Sequence, residues 1–189
     1  MKTYLTKPNC ISALSMLSIL AVMALMSLPA AETEANRGQL SASDYKFATS
    51  AARGGQMEVD LGNLAVQKST DPQVQNFGRH MAQEHSKAGE RLKDLVAKNG
   101  ATLPADLAND QRDLDRLNKL SGRDFDKAYM DYMVRDHKSD LKEFERAAKN
   151  TDNIDLRAFA AEMTSVIQEH LKMAEDVQAR TKAASSEGK

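Results

Sequence analysis

The chain has one cysteine, no tryptophan and only four prolines among 189 residues. Because Cys10 precedes the apolar run of the N-terminus, the chain that follows this run can form neither a disulfide nor a thiolate metal site. Strand-like runs of alternating β-branched residues are also missing, and prolines that would interrupt long helices are rare. Together these absences predict an all-α protein.

A strong net charge is missing as well. Removing Lys2 and Lys7, which belong to the N-terminal segment, from the 26 basic residues leaves 24 against 27 acidic ones, a net charge of −3. This value gives no reason to expect nucleic-acid binding. The sequence also lacks a Ser-His-Asp arrangement, a phosphate loop and a nucleotide fingerprint. It therefore favours a binding or structural protein over an enzyme, and it identifies no protein partner.

The first thirty residues differ from the rest. Lys2 and Lys7 precede an apolar run over 11–28, and the small residues Pro29-Ala30-Ala31 follow it. This pattern predicts a secretory signal peptide over 1–30 and an exported, periplasmic protein. The alternative is a retained membrane anchor, because the run is close to the roughly 18 residues that a spanning helix needs. We expect no other contact with a membrane.

Apolar residues at spacings of three and four predict four long helices in a bundle domain over 43–181. A linker over 31–42 precedes this domain, and a disordered tail over 182–189 follows it. The predicted helices run from Ser43 or Asp44 to about Ser69, from the segment 69–72 to Asn99, from Arg123 to Lys149, and from Ile154 to Thr181.

The connections between these helices predict the topology. Tight breaks at 69–72 and 150–153 indicate two antiparallel helical hairpins. The hairpins are joined by about twenty residues, which include a shorter helical stretch from Pro104 through Leu120. A connection that long crosses the bundle in ferritin-like folds. We therefore predict a ferritin-like four-helix bundle, made of two hairpins and a long crossover with a short helix.

Each long helix carries one strongly polar residue within its apolar face. In chain order these residues are Glu58, His85, His137 and His170. Burying an ionisable group is costly unless it is paired or metal-bound, so one such residue per helix predicts a shared polar site. Histidine and carboxylate side chains are suitable ligands for iron, zinc or copper. With Asp140 as a reserve ligand, the candidate metal ligands are Glu58, His85, His137, Asp140 and His170.

Spacing along the helices constrains this site. Glu58 and His85 lie at similar distances from the first turn, whereas His137 and His170 differ by an offset of about 7 Å. A ferritin-type di-iron centre would need a glutamate three residues before the histidine on the second and fourth helices. Those positions are Ala82 and Ile167, so a mononuclear site, or none, is the better prediction.

The same residues have an interpretation without metal. Glu58 paired with His85, and Asp140 paired with His137 or His170, would form a buried network that fixes register and binds nothing. The protein would then be a structural or envelope-stress interaction protein. Each histidine also shares a helical face with a methionine. Imidazole with thioether favours copper(I), but core filling is the commoner role. These methionines are Met81, Met133 and Met173.

Two further features have structural interpretations. His80 and Glu84 lie one turn apart on the polar side of their helix, which predicts a solvated face. The pair Gly54-Gly55 lowers helix stability and predicts a close helix approach near Glu58. The alternative is that this pair leaves room for a ligand.

Four segments of the chain carry a resemblance to a known family. They are Phe47-x3-Ala51-Ala52-x-Gly54-Gly55-x2-Glu58, Glu84-His85-Ser86-Lys87, Asp136-His137-x2-Asp140 and Glu169-His170-Leu171. Together they resemble the bacterial family catalogued as domain of unknown function 4142. The resemblance covers 44–180 and implies an exported, ferritin-like helical bundle with no established activity. Where that family often has Leu-Pro before its last histidine, this chain has Met163-Thr164-Ser165.

Overall fold

The computed structural model describes residues 40–107 and 112–187. Within these ranges the protein has five helices and no strand, so the predicted all-α, ferritin-like bundle with a short crossover helix is confirmed. The predicted signal peptide, and the predicted linker up to residue 39, lie outside the described residues. In chain order the helices are α1 (Ala42–Lys68), α2 (Pro72–Lys98), α3 (Arg112–Asn118), α4 (Gly122–Asn150) and α5 (Ile154–Glu187).

The four long helices form two antiparallel hairpins. In the first hairpin, Gly62 faces Gly78 and Gly55 faces His85. The second pair is farther from the turn than the first pair on both helices, as antiparallel packing requires. This register follows from the three-residue loop after α1, where Asp71 caps α2 and Pro72 occupies its first turn. The second hairpin pairs α4 with α5 in the same way, as its contacts Lys138–Glu175 and Phe144–Phe159 show.

Helices α1 and α2 are in backbone contact at Gly62 and Gly78. A Cβ atom on Gly62 would lie 2.5 Å from the carbonyl oxygen of Gly78, and one on Gly78 would lie 2.7 Å from that of Gly62. At Gly54 no atom lies within 4 Å of such a position, and at Gly55 only His85 Nδ1 does, at 3.9 Å. The prediction that Gly54-Gly55 mediates close approach is therefore wrong, because this pair leaves space beside His85.

Helix α1 begins one or two residues before the predicted caps. The Ser41 hydroxyl accepts a hydrogen bond from the Asp44 N–H at 3.1 Å, so Ser41 is the N-cap. The Asp44 carboxylate instead accepts bonds from the N–H groups of Asp152 and Asn153, at 3.3 and 2.9 Å. Asp44 therefore ties the start of α1 to the turn between α4 and α5.

The crossover and the last helix differ from the prediction. Residues 104–107, predicted as helical, are not helical. Tyr45 donates a hydrogen bond to the Thr102 carbonyl at 2.8 Å just before them, and Leu103 and Leu107 pack against the second apolar cluster. Residues 108–111 lie outside the described part. At the other end, α5 continues past the predicted end at Thr181 to Glu187, because alanines at 183 and 184 favour helix.

Two apolar clusters fill the bundle and leave a polar level between them. On each long helix, the predicted site residue falls between residues of one cluster and residues of the other. None of the helices described is long and apolar enough to span a bilayer. The first cluster includes Leu61, Phe77, Tyr129 and Ala174, and the second includes Ala52, Leu92, Phe144 and Ile167.

Candidate metal centre

Three histidines from three helices converge at this level. His85 of α2, His137 of α4 and His170 of α5 each offer a ring nitrogen, and these atoms lie within 4.8 Å of one another. An ion bound to imidazoles at about 2.05 Å holds its ligand atoms about 3.4 Å apart, so modest side-chain rotations would close this trio around it. The predicted offset between His137 and His170 does not separate their rings, whose centroids lie 5.7 Å apart.

A carboxyl trio lies beside the histidine trio. Glu58, Asp136 and Asp140 offer oxygen atoms within 4.8 Å of one another, and Glu58 is fully buried. Glu58 Oε1 lies 3.4 Å from Nδ1 of His137, which joins the two trios. All five predicted site residues are therefore brought together. Asp136 was missed, although its i, i+4 spacing from Asp140 places both on one side of α4.

The tautomer of His137 is set by its own helix. Its Nδ1 lies 2.9 Å from the carbonyl oxygen of Met133, which can only accept, so Nδ1 carries the proton. The remaining nitrogen, Nε2, is buried and has no protein partner. A bond that fixes one imidazole nitrogen and leaves the other nitrogen as an acceptor is the usual arrangement of a metal-binding histidine.

One pair of the buried network predicted as the alternative to metal, Glu58 with His85, is not formed. Glu58 and His85 are not hydrogen-bonded to each other, and Glu58 lies beside His137 instead. Leaving a buried acceptor or donor unsatisfied costs about 1–3 kcal/mol, so unpartnered ring nitrogens at this level are candidate ligand atoms. They are His85 Nε2, His137 Nε2 and His170 Nδ1.

Burial keeps the histidines neutral. Desolvation, with the neighbouring His170 and His137, lowers the pKa of His85 to about 3. Desolvation, with His137 and His80, lowers the pKa of His170 to about 4. Desolvation also lowers the pKa of His137, against the opposing effect of its bond to Met133. A neutral imidazole keeps its lone pair, so these side chains remain available as ligands at mildly acidic pH.

The pKa values of the neighbouring carboxyl groups are raised, whereas those of the histidines are lowered. Burial, followed by repulsion from Asp136, a side-chain hydrogen bond with Asp136 and repulsion from Asp140, raises the pKa of Glu58 well above its ordinary value. Burial, followed by repulsion from Asp136 and Glu143, raises the pKa of Asp140 to about 8. A cation placed between the two trios would relieve this repulsion and displace these protons.

A fourth histidine touches the site. The ring of His80, which is half-buried, lies edge-on to that of His170 with centroids 5.4 Å apart. The predicted solvated face is therefore wrong for His80, although Glu84 does form a surface ion pair with Lys87 at 2.9 Å. All four histidines of the chain thus belong to one cluster.

The methionines have the core-filling role that we expect for them. Met81 and Met133 are fully buried in the first apolar cluster, and Met173 packs against it. Their sulfur atoms add to the packing beside the histidines.

The domain of unknown function DUF4142 matches residues 29–177 of this chain. The chain belongs to this family. The match includes all four long helices up to residue 177, and it overlaps the last two residues of the predicted signal peptide. No curated protein matches the chain.

Solved structures similar to this DUF4142 protein share its helical bundle. A DUF305 fragment from Deinococcus radiodurans is 10% identical with a TM-score of 0.67, covering 75% of this chain and 99% of its own. A DUF305 protein from Streptomyces coelicolor, described as secreted, is 13% identical with a TM-score of 0.65, covering 74% and 93%. CopM in its Cu(I)-bound form is 18% identical with a TM-score of 0.61, covering 70% and 93%.

Proposed function

We propose that this DUF4142 protein binds one transition-metal ion, with copper as the first candidate, between His85, His137 and His170. One observation carries the proposal: three buried imidazoles from three helices converge, and each has a ring nitrogen without a protein partner. The protein would act as a metal-binding or metal-buffering protein and not as an enzyme.

The donor set favours copper among the three predicted metals. Neutral imidazoles suit copper, zinc and iron, but the bridging carboxylates of a di-iron centre are replaced by Ala82 and Ile167. A monovalent ion is less costly to bury than a divalent one among three neutral ligands, which favours Cu(I). A protein of similar fold, CopM, is known in Cu(I)-bound and Cu(II)-bound forms.

The carboxyl trio has a charge-balancing role in this proposal. Glu58 lies closest to the histidines and would ionise when a cation enters, which offsets the charge of a divalent ion. Asp136 and Asp140 would add to the negative field without occupying the imidazole positions. The bound ion would in turn stabilise the folded state, because the three ligands come together only when the chain folds.

Export is part of the same proposal. A positive start, an apolar run over 11–28 and a small-residue exit support a cleaved signal peptide. The family match begins at residue 29, so it leaves out the apolar run over 11–28. Of the similar structures, one is described as a secreted protein.

The test is metal stoichiometry of the mature chain, purified without an affinity tag. After incubation with excess Cu(I), Cu(II), Zn(II) or Fe(II) and removal of loosely bound ions, we expect one equivalent of copper. His137→Ala should lose it, whereas the matched control His80→Gln should keep it. Sub-stoichiometric metal under every condition would contradict the proposal and favour the structural role.

A further inference from the structure

A cavity of about 300 Å³ reaches the site from the protein surface, and we propose that it is the access channel for the metal ion. The inference rests on the proposed function. At its outer end the cavity is lined by the exposed residues Ser50 and Arg53. At its inner end it is lined by His85 and Asp140. The cavity therefore contacts one member of the histidine trio and one member of the carboxyl trio.

Three glycines keep this channel open. Gly54 and Gly55 of α1 and Gly89 of α2 line the cavity, although glycine inside a helix costs about 0.5–1 kcal/mol relative to alanine. Packing does not require them, because a Cβ on Gly54 or Gly89 would meet nothing within 4 Å. Their contrast with Gly62 and Gly78, where helices touch, indicates that open space is what these glycines provide.

The inner end of the channel offers ligands to a cation. A Cβ on Gly55 would lie 3.9 Å from Nδ1 of His85, so a larger side chain there would press on this ligand. His85 is 7% exposed and its Nε2 has no protein partner. Asp140 and Glu143 line the same wall and offer carboxyl oxygen atoms as ligands to a cation. An ion that enters here meets Asp140 and His85 first, and then His137 and His170.

A second cavity offers the competing route. It has a volume of about 600 Å³, lies against the crossover at 101–107, and also reaches His85. It contacts no member of the carboxyl trio. Gly54 lines only the first cavity and Ala97 only the second, so variants at these positions separate the two routes.

The experiment measures the rate at which Cu(I) passes from a chromophoric chelator to the protein in stopped flow. Gly54→Leu should slow transfer by about tenfold or more, as expected when an access step is obstructed, and leave the equilibrium affinity within about twofold. Gly54→Ala, which adds one methyl group, and Ala97→Leu, which fills the second cavity, should transfer at the wild-type rate. Ser50→Trp at the exposed outer end should also slow transfer, and it tests the channel even if Gly54→Leu misfolds.

Wild-type rates in both Gly54→Leu and Ser50→Trp would overturn the channel while leaving the proposed function intact. Slow transfer in Ala97→Leu alone would assign metal access to the second cavity, and this result would also overturn the proposed channel. Absence of Cu(I) binding to the wild-type protein at equilibrium is a separate result, and it would overturn the proposed function itself.

Discussion

Asp44 and His85 are both buried ionisable residues, but only Asp44 has its hydrogen-bonding capacity used by the protein. Asp44 accepts bonds from two backbone N–H groups in the turn before α5. His85 has a buried Nε2 with no partner and lies among two other histidines. The fold thus gives the buried Asp44 carboxyl group its hydrogen-bond partners and leaves His85 available for a ligand. For this reason Asp44 is a structural polar residue and His85 is a candidate metal ligand.

Replacing His85 with leucine separates these roles. Without metal, His85→Leu should keep or gain stability, because it removes an unsatisfied polar group from an apolar level. With free metal at 100 times Kd, the wild type should gain about 2.7 kcal/mol of unfolding free energy, and the variant should gain none. Urea unfolding with and without Cu(I) measures both effects. A metal-induced gain that survives in His85→Leu would exclude His85 as a ligand.

The raised pKa of Asp140 predicts that the unfolding free energy depends on pH. Its folded-state pKa is about 8, mainly because of burial, whereas its ordinary value is 3.8. Between these values the folded protein holds a proton that the unfolded chain has lost, so the unfolding free energy falls as pH rises. The metal-free wild type should therefore be less stable at pH 8 than at pH 6.5. Asp140→Asn should lose less stability over that interval, as urea unfolding at the two pH values measures.

At the scale of the helix, capping and turn residues in the sequence predicted those helix ends that depend only on neighbouring residues. Asp71-Pro72 predicted the start of α2, and Gly100, with φ of +71°, follows its end. The start of α1 was placed too late because Asp44 also resembles a cap, and only its bonds to the distant turn at 152–153 reveal its role. The prediction placed helix at 104–107, where long-range contacts of Thr102, Leu103 and Leu107 hold the chain in a non-helical path.

Glycine substitutions test the helix contacts directly. Gly78→Ala should destabilise the protein by about 1–3 kcal/mol, because its methyl group would lie 2.7 Å from a backbone oxygen of α1. The matched change Gly89→Ala on the same helix should stabilise it by about 0.5–1 kcal/mol, because nothing lies within 4 Å. Thermal unfolding of both variants provides the measurement. Equal effects at the two positions would contradict the helix packing described above.

At the scale of the whole molecule, the site joins the two hairpins. His85 belongs to the first hairpin, and His137 and His170 belong to the second. Periodicity predicted these three residues and Glu58, because one polar residue in an apolar face is visible in sequence. Asp140 was added as a reserve ligand three residues after His137, and the spacing of four from Asp140 could have added Asp136. The contact of His80 with His170 and the cavity were not predictable, because they depend on how the four helices rotate and approach one another.

The most direct test of the central claim is X-ray absorption at the copper edge of protein loaded with one equivalent of Cu(I). We expect a first shell of nitrogen atoms at about 2.0 Å with the outer-shell scattering of three imidazoles. A first shell of sulfur, or outer-shell scattering from fewer than three imidazoles, would contradict a site built from His85, His137 and His170.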